Sequence, residues 1–180
     1  LLWVLDRTST AMGSRELTRW ITAPYRDTAI PKQRLTYIRE LIDSGLITSI
    51  AEHLRRIGDL ERIVARIGLR SARPHDLTRL RDSLKELPEL KARLGQSNYP
   101  SVSQFGHSVL LLNTIHQLLD RALELEPSVV ISAGGVIREG FDDELDQLRR
   151  FSRDASSLLT EMEETERVNS EIAGLKLGYN

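Results

Sequence analysis

The sequence predicts an all-α protein: a multi-helix core followed by one long helix packed on a second, with one short extended segment at a glycine turn near residues 128–141. Three observations carry that reading. Apolar residues recur at steps of three and four, rarely two, across most of the 180 residues. β-Branched residues seldom cluster, and Leu is the dominant apolar residue. Glycine, proline and short polar runs fall between the periodic stretches, where they punctuate helices.

The elements follow in chain order. Residues 13–22 form a short amphipathic helix with Leu17, Trp20 and Ile21 inward, stopped at Pro24. Pro31 suits the opening of a second, in which Leu35, Ile38, Leu41 and Ile42 repeat until Asp43-Ser44-Gly45. Residues 46–57 make a third, with Ile47, Ile50 and Leu54 on one side and Gly58 at its end. Asp59 is placed to cap a fourth, striped by Leu60, Ile63, Val64 and Ile67 before Gly68. Arg73-Pro74-His75-Asp76 starts a fifth, because proline fits the first turn and a carboxylate suits the positive end of the helix dipole. Leu77, Leu80, Leu84 and Leu87 continue it. Pro88 is expected to begin a separate short turn carrying Leu90 and Leu94, closed by Gly95.

Residues 96–103 read as a loop by composition, and 104–126 as one long helix through Val109, Leu112, Ile115, Leu119 and Ala122, ended by Pro127. At 128–141 the period changes, giving two short extended pieces around Ala133-Gly134-Gly135. From Asp142 the pattern is helical for about thirty residues, a span of roughly 45 Å. Leu145, Leu148, Phe151, Ala155, Leu158, Met162, Thr165, Val168 and Ile172 form a narrow seam close to the 3.5-residue average of a coiled-coil contact, and residues 104–126 are its expected partner. Gly174 ends the helix. Leu175, Leu177 and Tyr179 then alternate with polar residues or glycine, as at the opening of a strand.

Composition removes several classes of function. The chain has no cysteine, so disulfides, thiolate metal sites and cysteine nucleophiles are excluded, and a reducing compartment is permitted. The longest apolar run, Leu1 to Leu5, is too short for a signal-peptide core or a membrane span. A first residue that is Leu rather than Met suggests a piece of a longer protein. Net charge is −1, yet eleven basic residues face seven acids between residues 51 and 95, while residues 120–171 are strongly acidic. The basic stretch, from Arg55 to Arg93, lacks interleaved aromatics and is read as solvated or in interdomain salt bridges, with phosphate contact as the alternative.

No catalytic, cofactor-binding or metal site emerges from the residues, and DNA-binding residues stay unassigned. His53, His75, His107 and His116 lack the i, i+4 spacing that puts two imidazoles on one helical face. Gly134-Gly135 and Gly140 are followed by no Lys-Ser or Lys-Thr, so a turn is preferred to a phosphate loop. Asp142, Asp143, Glu144 and Asp146 suit the first turn of a helix, and Glu161, Glu163, Glu164 and Glu166 a solvated face. No Gly-x-Ser-x-Gly nucleophile elbow occurs.

Five ordered signatures carry a resemblance. They are Leu5-Asp6-Arg7-Thr8 with Met12-Gly13-Ser14-Arg15, Leu17, Arg19-Trp20, Pro24 and Arg26-Asp27; Gly58-Asp59-Leu60-Glu61-Arg62 with Arg66; Ala72-Arg73-Pro74 with Asp76-Leu77 and Leu80; Gly134-Gly135-Val136-Ile137 with Gly140 and Glu144-Leu145-Asp146; and Leu175-Lys176 with Gly178-Tyr179-Asn180. Together they resemble the core, or lever, domain of the MutS DNA mismatch-repair proteins over the whole chain, with residues 96–126 contributing only a hydrophobic pattern. Ala11, where many relatives have proline, and Ala133, where an acid is common, are departures at local turns.

The resemblance implies a helical core subdomain at 1–95, lever helices at 96–174 and the start of a clamp at 175–180. It implies a parent that is a dimeric, ATP-driven mismatch sensor using ATP and Mg, with mismatched double-stranded DNA, a second copy of itself and other MutS domains as partners. A cytoplasmic location and no membrane partner are expected. The Phe-x-Glu wedge is missing, since Phe105, Phe141 and Phe151 are followed two later by His107, Asp143 and Arg153. The Walker motif is missing as well. The expected role is a mechanical link between ATPase and clamp, with no catalysis and no cofactor in these residues. The alternative is a stand-alone helical protein–protein interaction module whose seam receives a partner helix.

Overall fold

The computed structural model describes residues 1–170, with side chains at all of these except 156–158. Nine α-helices are found among the described residues: α1 (Leu2–Leu5), α2 (Ala11–Thr22), α3 (Ala29–Asp43), α4 (Ile47–Arg56), α5 (Leu60–Gly68), α6 (Pro74–Gly95), α7 (Pro100–Ser108), α8 (Asn113–Ala122) and α9 (Asp143–Ser170). No strand occurs among them, so the all-α expectation holds.

Local chemistry starts α5 and α6 where the sequence placed them, and α2 at Ala11 rather than at residue 13. The Thr10 hydroxyl accepts the Gly13 N–H (2.9 Å) ahead of α2, and Asp59 accepts the Arg62 N–H (3.3 Å) ahead of α5. Pro74 occupies the first position of α6, where its missing N–H costs nothing. Asp76 reaches back to accept the Arg73 N–H at 3.0 Å.

The chain forms two compact units, the first from Leu1 to Ile137 and the second beginning at Arg138. In the first, α6 is the central element, packed by α4, α5, α7 and α8. Ile50, Ile57, Leu90, Leu94 and Val102 make one buried cluster. Ile63, Leu80 and Leu84 make a second, on which Leu119 of α8 also packs. Each such side chain contributes on the order of 1.5–3 kcal/mol through burial. At the α6–α7 crossing the backbones nearly touch, since a Cβ on Gly106 would lie 2.3 Å from the Gly95 nitrogen. Only glycine fits there.

Four expectations are corrected. Helix α6 runs through Pro88 rather than ending before it. An internal proline forfeits a backbone hydrogen bond and crowds the preceding turn, but Leu84 on one side and Leu90 and Leu94 on the other are all buried, and that packing holds both halves as one helix. Residues 96–103 are not all loop, because Pro100 opens α7.

The single helix expected over 104–126 is two, broken at Val109–Leu112. Lys91 of α6 donates to the Val109 carbonyl at 2.7 Å, closing the end of α7. The continuous partner expected for the long helix therefore does not exist. Finally, the glycine segment does not pair with itself. Residues Ile131–Ala133 form a 3₁₀ turn. Ile137 instead bridges Leu123 in antiparallel fashion, and Glu124 donates its N–H to the Val136 carbonyl at 3.0 Å. The deep burial of Leu123 explains that choice of partner.

Several predicted stripes are only half covered. Leu35, Ile38 and Ile42 of α3 and Val64 and Ile67 of α5 are exposed. In the second unit α9 is continuous, and its Leu148, Phe151, Met162 and Val168 are exposed as well. The Leu158 side chain, Ile172, Gly174 and the expected clamp opening at 175–180 lie outside the described residues.

Candidate functional site

The signature segments, far apart in sequence, meet as ion pairs and hydrogen bonds. Arg15 on α2 reaches the carboxylates preceding and opening α5: its guanidinium lies 2.8 and 2.6 Å from the two Asp59 oxygens and 2.6 Å from Glu61. This forked geometry is one that lysine cannot supply. The hydrogen bonds from Arg15 hold the Asp59 carboxyl below the usual aspartate range, and those carboxylates push the Arg15 guanidinium upward. Asp6 accepts from the Ser14 hydroxyl (2.5 Å) and from the hydroxyl and N–H of Thr8 (2.7 and 3.0 Å). Those hydrogen bonds, Ser14 first, lower its pKa.

A second lattice joins the next two signatures. Arg66 of α5 donates to Asp76 of α6 at 2.5 Å. The Arg73 N–H is the main cause of the lowered Asp76 pKa, with the Arg66 charge assisting. Ser83, fully buried, accepts the Gly58 N–H at 2.8 Å and donates to the Arg79 carbonyl at 2.6 Å. In the second unit, Asp146 accepts the Gly140 N–H (2.6 Å) and pairs with Arg149 (3.1 Å), closing the turn that feeds α9. Gly134, Gly135 and Gly140 all have positive φ, so their glycine identity follows from turn geometry.

The residues weighed for chemistry are dispersed. His53 faces Glu86 at 2.7 Å. The Nδ1 of His107 lies 2.7 Å from the Ser103 carbonyl, to which it donates. No group of three or more His, Asp or Glu among the described residues could hold a metal ion. Within the basic stretch, Arg56 pairs with Glu86, Arg66 with Asp76, Arg81 with Asp82 and Arg93 with Glu89. All four pairs lie within the first unit rather than between domains. Arg149 and Glu163 are tied along α9, to Asp146 and Arg167.

Some structurally important residues were not singled out from sequence. Arg81 is buried and donates to the Glu124 and Leu125 carbonyls (3.2 and 3.4 Å), fastening α6 to the end of α8. Glu40 accepts both the N–H and the hydroxyl of Ser101 (2.8 and 2.9 Å). Neither carries a local signal, since charged residues on periodic helices look alike until the fold selects one. Gly106 did carry one: a glycine inside a helical pattern marks a close approach.

What these elements make is a helical scaffold fastened by buried and half-buried ion pairs. The family model of MutS domain III matches residues 1–175. The chain belongs to that family, a non-catalytic helical domain of MutS-type mismatch-repair proteins. No described helix is long and apolar enough to cross a membrane.

Proposed function

We propose that this domain is a mechanical link, carrying nucleotide-dependent change from an ATPase elsewhere in a MutS protein to a DNA clamp. The observation that supports this most is α9, an uninterrupted helix of 28 residues. A continuous helix fixes every backbone dihedral and transmits displacement, whereas a chain of loops would dissipate it. In this reading the parent binds mismatched duplex DNA, acts with a second copy of itself and with other MutS domains in the cytoplasm, and uses ATP and Mg outside these residues. The domain itself needs no cofactor.

The test is made in a full-length parent carrying this domain. Glu161→Pro breaks α9 in its middle, and Glu161→Ala keeps it. The expected result is that the proline variant retains mismatch binding and basal ATPase while ATP no longer accelerates DNA release, and the alanine variant behaves as wild type. A folded proline variant with normal ATP-dependent release would leave α9 as scaffold only.

The exposed Leu148, Phe151, Met162 and Val168 favour a second reading, a module whose helix receives a partner helix. Under it, serine substitutions at these positions abolish partner capture. Under the lever reading the proline is the more damaging change.

A further inference from the structure

Residues 1–22 are joined to one another by short polar contacts. Asp6, just past α1, accepts from the hydroxyls of Ser14 and Thr8, and the Thr10 hydroxyl caps α2. These contacts make α1, the turn after it and the first half of α2 one piece. Its apolar hold on the rest of the first unit is slight. Neither α1 nor α2 contains a buried residue, and Trp3 is 89% exposed. Met12, itself half-buried, packs on the cluster of Ile50, Ile57, Leu90, Leu94 and Val102.

The outward polar ties of this piece, among the described residues, centre on two arginines. Arg15 donates to both Asp59 oxygens (2.8 and 2.6 Å) and twice to Glu61 (2.9 and 2.6 Å). Arg34 of α3 lies 3.9 Å from the Trp20 ring centroid and 3.9 Å from the Glu16 carboxylate, a looser contact. The chain leaves α2 through residues 22–29, every one of them exposed, with Pro24 among them. The neighbouring α3 is anchored separately, by Glu40 to Ser101 of α7, and α6 buries Leu80, Leu84, Leu90 and Leu94.

We infer that residues 1–22 are a strap latched to the start of α5 by Arg15, and that the strap opens as a unit while α3 to α8 stay packed. Opening exposes little apolar surface, so its cost is set mainly by exchanging the Arg15 carboxylates for water. Arg15 and Glu61 are 33% and 57% exposed, and salt reaches a pair of that kind and screens it. Once released, α2 is a twelve-residue helix without tertiary support and melts. The open form bares the Asp59 and Glu61 carboxylates. This device lies within the first unit and is independent of the role proposed for α9.

Amide hydrogen exchange of the 180-residue chain, resolved by peptide mass spectrometry, tests the latch, with α6 in the same sample as the internal reference. Amides of α2 should exchange far faster than those of α6. Raising salt from about 0.01 M to about 1 M, which shortens the screening length from about 30 Å to about 3 Å, should speed α2 relative to α6. Arg15→Gln should speed α2 about tenfold and leave α6 unchanged. Glu61→Gln keeps the Asp59 cap and leaves the sequence of α2 untouched, yet should still speed α2 about threefold. Protection of α2 equal to that of α6, insensitivity of α2 to salt, no change in α2 on Glu61→Gln, or equal acceleration of α2 and α6 in Arg15→Gln would each overturn the inference.

Discussion

The first unit and α9 are built from the same amino acids by different means. In the first unit the longest helix, α6, carries Pro88 in its interior, yet it persists because Leu84, Leu90, Leu94 and the Val102 that packs with them are withdrawn from water. α9 is the longest described helix, while most of its described apolar residues stay in solvent. Local contacts support α9: acids at Asp143, Glu144 and Asp146 in its first turn, and the spaced Glu163–Arg167 pair. Tertiary packing tolerates poor local sequence. A helix without it depends on every turn.

Substitutions can test that contrast. The largest effect is expected for Gly106→Ala, whose methyl would collide with backbone at Gly95 and Leu94. Pushing α6 and α7 apart should cost about 3 kcal/mol in urea unfolding, and a neutral result would mean the crossing is looser than described. Leu84→Ala, at a side chain 5% exposed, should cost about 3 kcal/mol, against under about 0.5 kcal/mol for Leu148→Ala on α9. Equal losses would show that α9 is packed as tightly as the core. Ser83→Ala strands the buried Gly58 N–H and should cost about 2 kcal/mol.

Acid provides a milder probe. Asp6, Asp59 and Asp76 have lowered pKa values in the folded chain. The stability they add is therefore complete above the ordinary aspartate pKa of about 4 and is lost as pH falls through their lowered values. Asp76→Asn should flatten this acid limb in thermal melts below about pH 4, and an unaltered limb would remove Asp76 from the account. Smallest of all, Glu163→Gln should shift α9 helicity by only a few tenths of a kcal/mol at most.

The contrast also explains what could be read from the sequence. Thr10, Asp59 and Pro74 mark helix starts through contacts within three residues, so local pattern was sufficient for α5 and α6. The break at Val109–Leu112 was hidden because Lys91, which closes α7, comes from another helix. Continuation through Pro88 was hidden for the same reason, its support being the burial of leucines against neighbours. The signature residues were legible as a set, but their pairings were not: nothing in sequence says that Arg15 finds Asp59 forty-four positions away. The apolar seam of α9 was legible, and its exposure was not, since periodicity reports that a face exists without naming what covers it.

The length of α9 has a geometric consequence. Twenty-eight residues at 1.5 Å each give a rod of about 42 Å. Tilting such a rod by about five degrees about Asp143 sweeps Ser170 through roughly 4 Å, close to the separation of consecutive Cα atoms. A rotation too small to disturb side-chain packing at the pivot becomes, at the far tip, a shift large enough to make or break a hydrogen bond. The amplification is set by residue count alone, so deleting one whole turn of α9 would shorten the stroke by about an eighth while keeping its direction.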